Sequence, residues 1–140
     1  MKAITLYQPW ASLIAAGIKR YETRHWPPRS GQLTEGEELA IHAGMRIVKP
    51  LPPYLEELIA NLPETLPLPT GAVLCVCRFE GTAFTYDVRD QVGDTERACG
   101  DWSFGRFAWE LTVLRVFPHG IPTRGHQGIW NWDEMRETRL

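Results

Sequence analysis

The residues best suited to chemistry crowd into one short N-terminal segment. Gln8-Pro9-Trp10-Ala11-Ser12 is followed by Gly17-Ile18-Lys19-Arg20-Tyr21-Glu22-Thr23-Arg24. Pro9 stands where a first helical residue belongs, since its missing N–H costs nothing there. A helix start points free N–H groups forward, where they attract phosphate or carbonyl oxygens, and the Ser12 hydroxyl lies beside them. If the helix folds back on the segment that follows it, Lys19, Glu22 and Arg24 converge on one pocket. An amine, a carboxylate and a bidentate fork together suit a nucleobase edge and a phosphate. The same residues also make sense as a solvated salt-bridge cluster with Trp10 as a core anchor.

Other residue types extend the set. Of the six tryptophans, Trp26 sits beside Arg24 and His25 and is the candidate for stacking on a base. Trp109 and Trp130 read as core, while Trp102 and Trp132 are open. Gln127 lies in a late loop punctuated by Gly125 and Gly128, where its amide can meet a base edge. Cys75 and Cys77 face the same way on a strand, but no CxxC pair exists and only Cys99 remains as a third thiolate. Buried free thiols are the expectation, with no metal and no cofactor. His119 and His126 match no metal spacing.

These side chains need elements to position them. Ala3 to Leu6 reads as a short strand, Trp10 to Ala16 as a helix, and Gly17 as its left-handed stop. Tyr21 to Arg24 alternates as a strand, which puts Glu22 and Arg24 on one face and Tyr21 and Thr23 on the other. Pro27-Pro28 ends it, and Leu39 to Ala43 is the next strand. Leu51 to Leu62 has helical spacing through Leu55, Leu58, Ile59 and Leu62, with Tyr54 on the same face. Pro63, Pro67 and Pro69 make a stiff connection to a long buried strand from Gly71 to Phe84. Tyr86 to Gly100 is polar and reads as a loop or an irregular helix. Phe104 to Phe117 is a second long strand, with Phe107, Trp109, Leu111 and Val113 on one face. Gly120 to Gly128 reads as a loop, Ile129 to Trp132 closes the fold, and a charged tail follows. Strands outnumber helices and look too long and too buried for an open two-layer sheet. The expected architecture is therefore an α+β single domain over residues 1–140: a small closed or nearly closed β-barrel with helices packed around it.

Bulk properties narrow the function. A length of 140 residues with 44% apolar content supports a packed core and argues against disorder. No apolar run approaches the roughly 18–20 residues of a membrane span, so no membrane partner is expected. Three cysteines and the absence of a secretory pattern at the N-terminus point to a reducing, cytoplasmic setting. Net charge is −2, but it is unevenly spread. Residues 1–30 carry Lys2, Lys19, Arg20, Arg24 and Arg29 against Glu22 alone. A local basic patch on an acidic body fits a grip on a few phosphates rather than a long track along a duplex.

The sequence resembles the ASCH (ASC-1 homology) family of the PUA-like superfamily. The resemblance rests on Gln8-Pro9-Trp10-Ala11-Ser12-Leu13-Ile14, Gly17-Ile18-Lys19, Glu22, Arg24 and Trp26. It continues through Ile41-His42-Ala43, Gly71 to Leu74, Phe107-Ala108-Trp109, Gln127-Gly128 and Trp130. It is closest to the ASCH domain of the ASC-1 coactivator type. It implies a PUA-like barrel with a cleft lined by the N-terminal motif, and binding of RNA, DNA or a nucleoside or nucleotide. The implied pocket residues are Lys19, Glu22 and Arg24, with Pro9, Trp10 and Ser12 at the helix start. One branch resembles amidohydrolases that deacetylate N4-acetylcytidine with a lysine, a threonine nucleophile and a glutamate. Lys19 matches their lysine, but Glu22 occupies the threonine position and Thr23 faces the other side of the strand. Some stand-alone members are ribonucleases, and Lys19 and Glu22 with His25 or His42 offer acid–base groups for that chemistry. Binding is the leading expectation. A hydrolase of modified nucleosides or RNA is the alternative, and a protein-docking module the second.

Overall fold

The computed structural model describes residues 1–62 and 68–134. The proline connection through Pro63 and Pro67, and the charged tail beyond Glu134, lie outside the described residues. The elements follow the order β1 (Lys2–Gln8), α1 (Trp10–Ala15), β2 (Tyr21–Arg24), β3 (Glu38–Ile47), α2 (Pro53–Ala60) and β4 (Ala72–Phe84). They continue with α3 (Thr85–Val88), α4 (Asp94–Ala98), β5 (Phe107–Pro122) and β6 (Ile129–Asn131). The polar stretch before β5 thus holds two short helices, and β5 runs past Gly120, so the late loop starts only at Thr123. In α2, Leu55 and Ile59 are buried as the spacing predicts, while Tyr54 points outward.

The strands form one six-stranded sheet in the order β2-β5-β4-β3-β1-β6. Only β1 and β3 pair in parallel; the other neighbours are antiparallel. The long β4–β5 ladder slips register three times, at Val73/Cys75, Val76/Cys77 and Phe79/Gly81. Each irregularity adds local twist, and together they curl the sheet. Curling carries β2 around until it faces β1, yet the two edges do not join in a ladder. The closed barrel expected from strand length is therefore replaced by an open, curled sheet. Two features leave it open. β2 has only four residues before the prolines end it, and β6 pairs β1 only at Lys2, Ala3 and Ile4. Among the described residues, no strand lies beside β1 from Thr5 onward on that side.

The core lies inside the curl. Ile4, Leu6, Ile41, Cys75, Phe79, Trp109 and Leu111 form its main cluster, with Phe107 and Val113 packed against it, so the face expected of β5 is the face observed. Trp109 is fully buried and meets Trp26 and Phe79 edge-on, at centroid separations of 5.2 and 5.8 Å. Helix α1 joins two layers. Ala11 and Ile14 enter the main cluster, while Leu13 packs with Leu55 and Ile59 of α2 and with Cys99. Gly17 ends α1 at φ +78°, as a left-handed stop requires. Among the described residues, no helix is long and apolar enough to cross a membrane.

Candidate functional site

The unpaired stretch between β1 and β2 is the mouth of a cleft of about 1780 Å³. Strand alternation places Glu22 and Arg24 on one face of β2, and both line the cleft. Arg24 Nε donates to Glu22 Oε2 at 3.0 Å, and Arg24 Nη2 donates across the gap to the Thr5 carbonyl at 3.0 Å. The Arg24 guanidinium also lies 5.7 Å from the Trp26 ring centroid. Trp26 is held in turn by Trp109, whose Nε1 donates to the Trp26 carbonyl at 3.3 Å. An arginine fork has more N–H donors than the two used here, so Arg24 keeps donor capacity beside an aromatic face. Trp10 and Gln127 also line the cleft.

Three residues implied by the sequence lie behind the wall instead of on it. The Ser12 side chain is buried; its hydroxyl accepts from Gln8 Nε2 at 2.7 Å, and the Ser12 N–H donates to Gln8 Oε1 at 3.0 Å. Gln8 thus takes up the helix-start donor that the sequence offered to a ligand. Pro9 is buried in the same turn, and its carbonyl accepts from the Leu13 N–H at 3.0 Å. Lys19 is 2% exposed. Its ammonium donates to the Tyr21 carbonyl at 2.5 Å and to the Cys99 carbonyl at 2.6 Å, with Glu22 Oε1 at 3.7 Å. The Trp10 ring centroid lies 5.9 Å away. Two of the three ammonium N–H groups are thus committed to carbonyls, and Glu22 balances the charge at ion-pair distance. Burial forces this outcome, because a desolvated charge persists only when it is paired and hydrogen-bonded.

Lys19 therefore clamps the 98–102 segment to β2. Glu96 completes the clamp: its carboxylate accepts from the Arg20 N–H at 2.7 Å and the Tyr21 N–H at 3.4 Å. Burial pushes the Glu96 carboxyl above the usual range, offset in part by those N–H groups and by Lys19. The Cys99 thiol is pushed up to about 11, chiefly by burial. Thr23 Oγ1 accepts from the Asp101 N–H at 3.1 Å, on the face opposite Glu22. Cys75 and Cys77 lie with sulfurs 3.9 Å apart in the core, and their mutual hydrogen bond and burial raise the Cys75 thiol well above its ordinary value.

The opposite wall comes from β1, β3 and the 123–128 loop. His42 is 2% exposed; its Nε2 faces the Thr123 carbonyl at 2.6 Å and its Nδ1 faces the Thr5 hydroxyl at 3.2 Å. A carbonyl only accepts, so Nε2 carries the proton and Nδ1 accepts from Thr5. Trp130 Nε1 donates to the same hydroxyl at 3.1 Å. Burial holds the His42 imidazole below its usual value, and the His126 charge adds to this against the Thr123 bond. A methyl group on Gly125 would sit 2.5 Å from His42 Cε1 and 2.7 Å from Thr5 Oγ1, so the loop lies directly on this pair. The cleft also takes in Arg124, His126, Arg106, Tyr7 and Met45. The polar His42 in an otherwise apolar strand was a signal for part of this wall. Arg106 and Tyr7 carry no such local mark.

The family model described as the ASCH domain matches residues 4–118. The crystal structure of ASCH from Zymomonas mobilis matches with a TM-score of 0.53 at 14% identity, covering 99% of this chain and 90% of that one. A Tyr-to-Phe mutant of the same protein gives 0.53, 14%, 99% and 93%, and a Ser-to-Ala mutant gives 0.51, 15%, 99% and 91%. At such identities the likeness shows the fold alone. No curated protein matches this chain.

Proposed function

The chain belongs to the ASCH domain family, and from that premise we propose that its cleft binds RNA or a nucleotide-like ligand. The observation that carries the reading is the Glu22–Arg24 pair, joined at 3.0 Å and set beside the Trp26 ring in the cleft wall. A carboxylate accepts from a base amino or imino group, and an arginine fork donates to a ring nitrogen, a carbonyl or a phosphate. Trp10 and Trp26 supply aromatic surface, and Gln127 supplies an amide from the facing loop. Lys19, Ser12 and Pro9 act from behind by fixing β2 and the start of α1. Turnover is not part of the proposal, because the Lys19 ammonium is buried behind the cleft wall and donates to two backbone carbonyls.

The test is titration with nucleosides and short RNA and DNA oligonucleotides, paired with crystals soaked in the same panel. Saturable, salt-dependent binding that Arg24→Ala weakens at least tenfold, with ligand density beside Glu22 and Arg24, supports the reading. Binding that is unchanged in Arg24→Ala, or density only elsewhere, sinks it.

A further inference from the structure

The charges along the cleft are not equally available. Arg24 is neutralised by Glu22, and Arg106 lies 3.6 Å from Asp101. At the other end, β1 and β3 fall out of register: Leu6 pairs with Ala43 and Gln8 with Ile47, so Tyr7 alone spans what Gly44, Met45 and Arg46 span. Extra residues on one strand bend it outward, and Met45 is 76% exposed as a result. The bend brings the Arg46 guanidinium to 5.1 Å from the Tyr7 ring centroid. Tyr7 is 50% exposed, and both Tyr7 and Met45 line the cleft. The segment 44–50 carries Arg46 and Lys49 and no acidic residue. Among the described residues, neither cation lies in an ion pair.

We infer that Tyr7 and Arg46 form a second nucleotide subsite, so that the cleft takes a single strand of at least two nucleotides rather than a lone nucleoside. This rests on the nucleotide-binding reading above and extends it along the groove. Arg46 lies over the Tyr7 ring, and the half-exposed ring still presents surface to the cleft for a base. Stacking of this kind accepts any base, because every base has a π-face. The uncompensated charge of Arg46 and Lys49 meets the phosphate that links the second nucleotide to the one at Glu22 and Arg24. The division follows from chemistry: a neutralised carboxylate–guanidinium pair suits an uncharged base edge, and free cations suit a phosphate. The other exposed aromatic set is less suited. The Phe84, Tyr86 and Phe104 rings stack on one another, at interplanar angles of 18° and 25°, and exposed Asp87 and Asp90 flank them.

The experiment measures binding of the full chain to cytidine 5′-monophosphate and to mixed-sequence RNA from two to eight nucleotides. Affinity is expected to rise from the mononucleotide to the short oligomers. Tyr7→Ala should weaken oligomer binding about five- to tenfold and weaken mononucleotide binding less, while Tyr7→Phe should retain oligomer affinity. Arg46→Gln should lower the slope of log affinity against log salt by about 0.7. Both side chains are exposed, and a melt confirms the fold of each variant. If the mononucleotide binds and length or Tyr7→Ala makes no difference, the second subsite is wrong while the nucleotide-binding reading stands. If neither mononucleotide nor oligomer binds, both fall.

Discussion

Arg24 Nη2 donates to the carbonyl oxygen of Thr5 at 3.0 Å, from one edge of the curled sheet to the other. β1 and β2 are not ladder partners, so this side-chain bond spans a gap that a closed barrel would fill with backbone bonds. The cleft and the openness of the sheet are thus one feature, and Arg24 belongs to both.

Arg24→Lys probes both roles at once. A lysine ammonium is a point donor and lacks the planar fork that serves Glu22 and Thr5 together and, in the proposed function, a ligand. The expected result is a loss of about 1–2 kcal/mol of stability and a loss of ligand affinity of tenfold or more. Urea unfolding and ligand titration on the same preparation check both.

Lys19 should behave in the opposite way. Lys19→Met leaves the buried Tyr21 and Cys99 carbonyls without their donor, and Glu22 without its second cation. The expected cost is about 2–4 kcal/mol, read as a lowered urea midpoint. Ligand affinity of the folded fraction should fall less than in the Arg24 variant. A stable Lys19→Met protein that has lost binding would place the ammonium in the ligand site instead.

What could be read from the sequence was local. The strand alternation of Tyr21 to Arg24, the stop at Gly17 and the apolar face of β5 depend on near neighbours, and each recurs in the structure. The position of Lys19 was not readable, because its acceptor at Cys99 lies 80 residues away. His42 was marked as a polar residue in an apolar strand, but its acceptor at Thr123, 81 residues away, was not readable. Barrel closure failed as an expectation for a related reason: strand length measures how much sheet forms, not whether its two edges pair. Tyr7 was silent because its contact with Arg46 depends on a register slip on the neighbouring strand.

Gly125 tests the facing wall. A methyl group there would lie 2.5–2.7 Å from His42 and Thr5 atoms, and neither side chain can retreat without breaking its hydrogen bonds. Gly125→Ala is therefore expected to displace the 123–128 loop, at a cost of about 1–3 kcal/mol. Ligand binding should weaken in step, since Gln127 rides on that loop. Amide hydrogen exchange should show faster exchange at Thr123, whose N–H donates to the Gly71 carbonyl at 2.9 Å in the native loop.

His42 gives the wall a pH dependence. The native arrangement needs a neutral imidazole, since Nδ1 accepts from Thr5 while Nε2–H donates to Thr123. Burial lowers its native value below the ordinary one. The unfolded chain therefore takes up a proton near pH 6.5 while the native state still resists, and acid favours unfolding. The His42 contribution is fully present above about pH 6.5 and is lost as pH falls toward the native value. Glu96 acts with the opposite sign: its raised native value makes its contribution largest in acid and loses it as pH rises. A raw stability profile mixes the two, so the decisive quantity is the difference between wild type and His42→Gln. Urea midpoints from pH 7.5 down to 5 should show that difference shrinking as pH falls. A constant difference across that range would mean that the native imidazole titrates as it does in the unfolded chain.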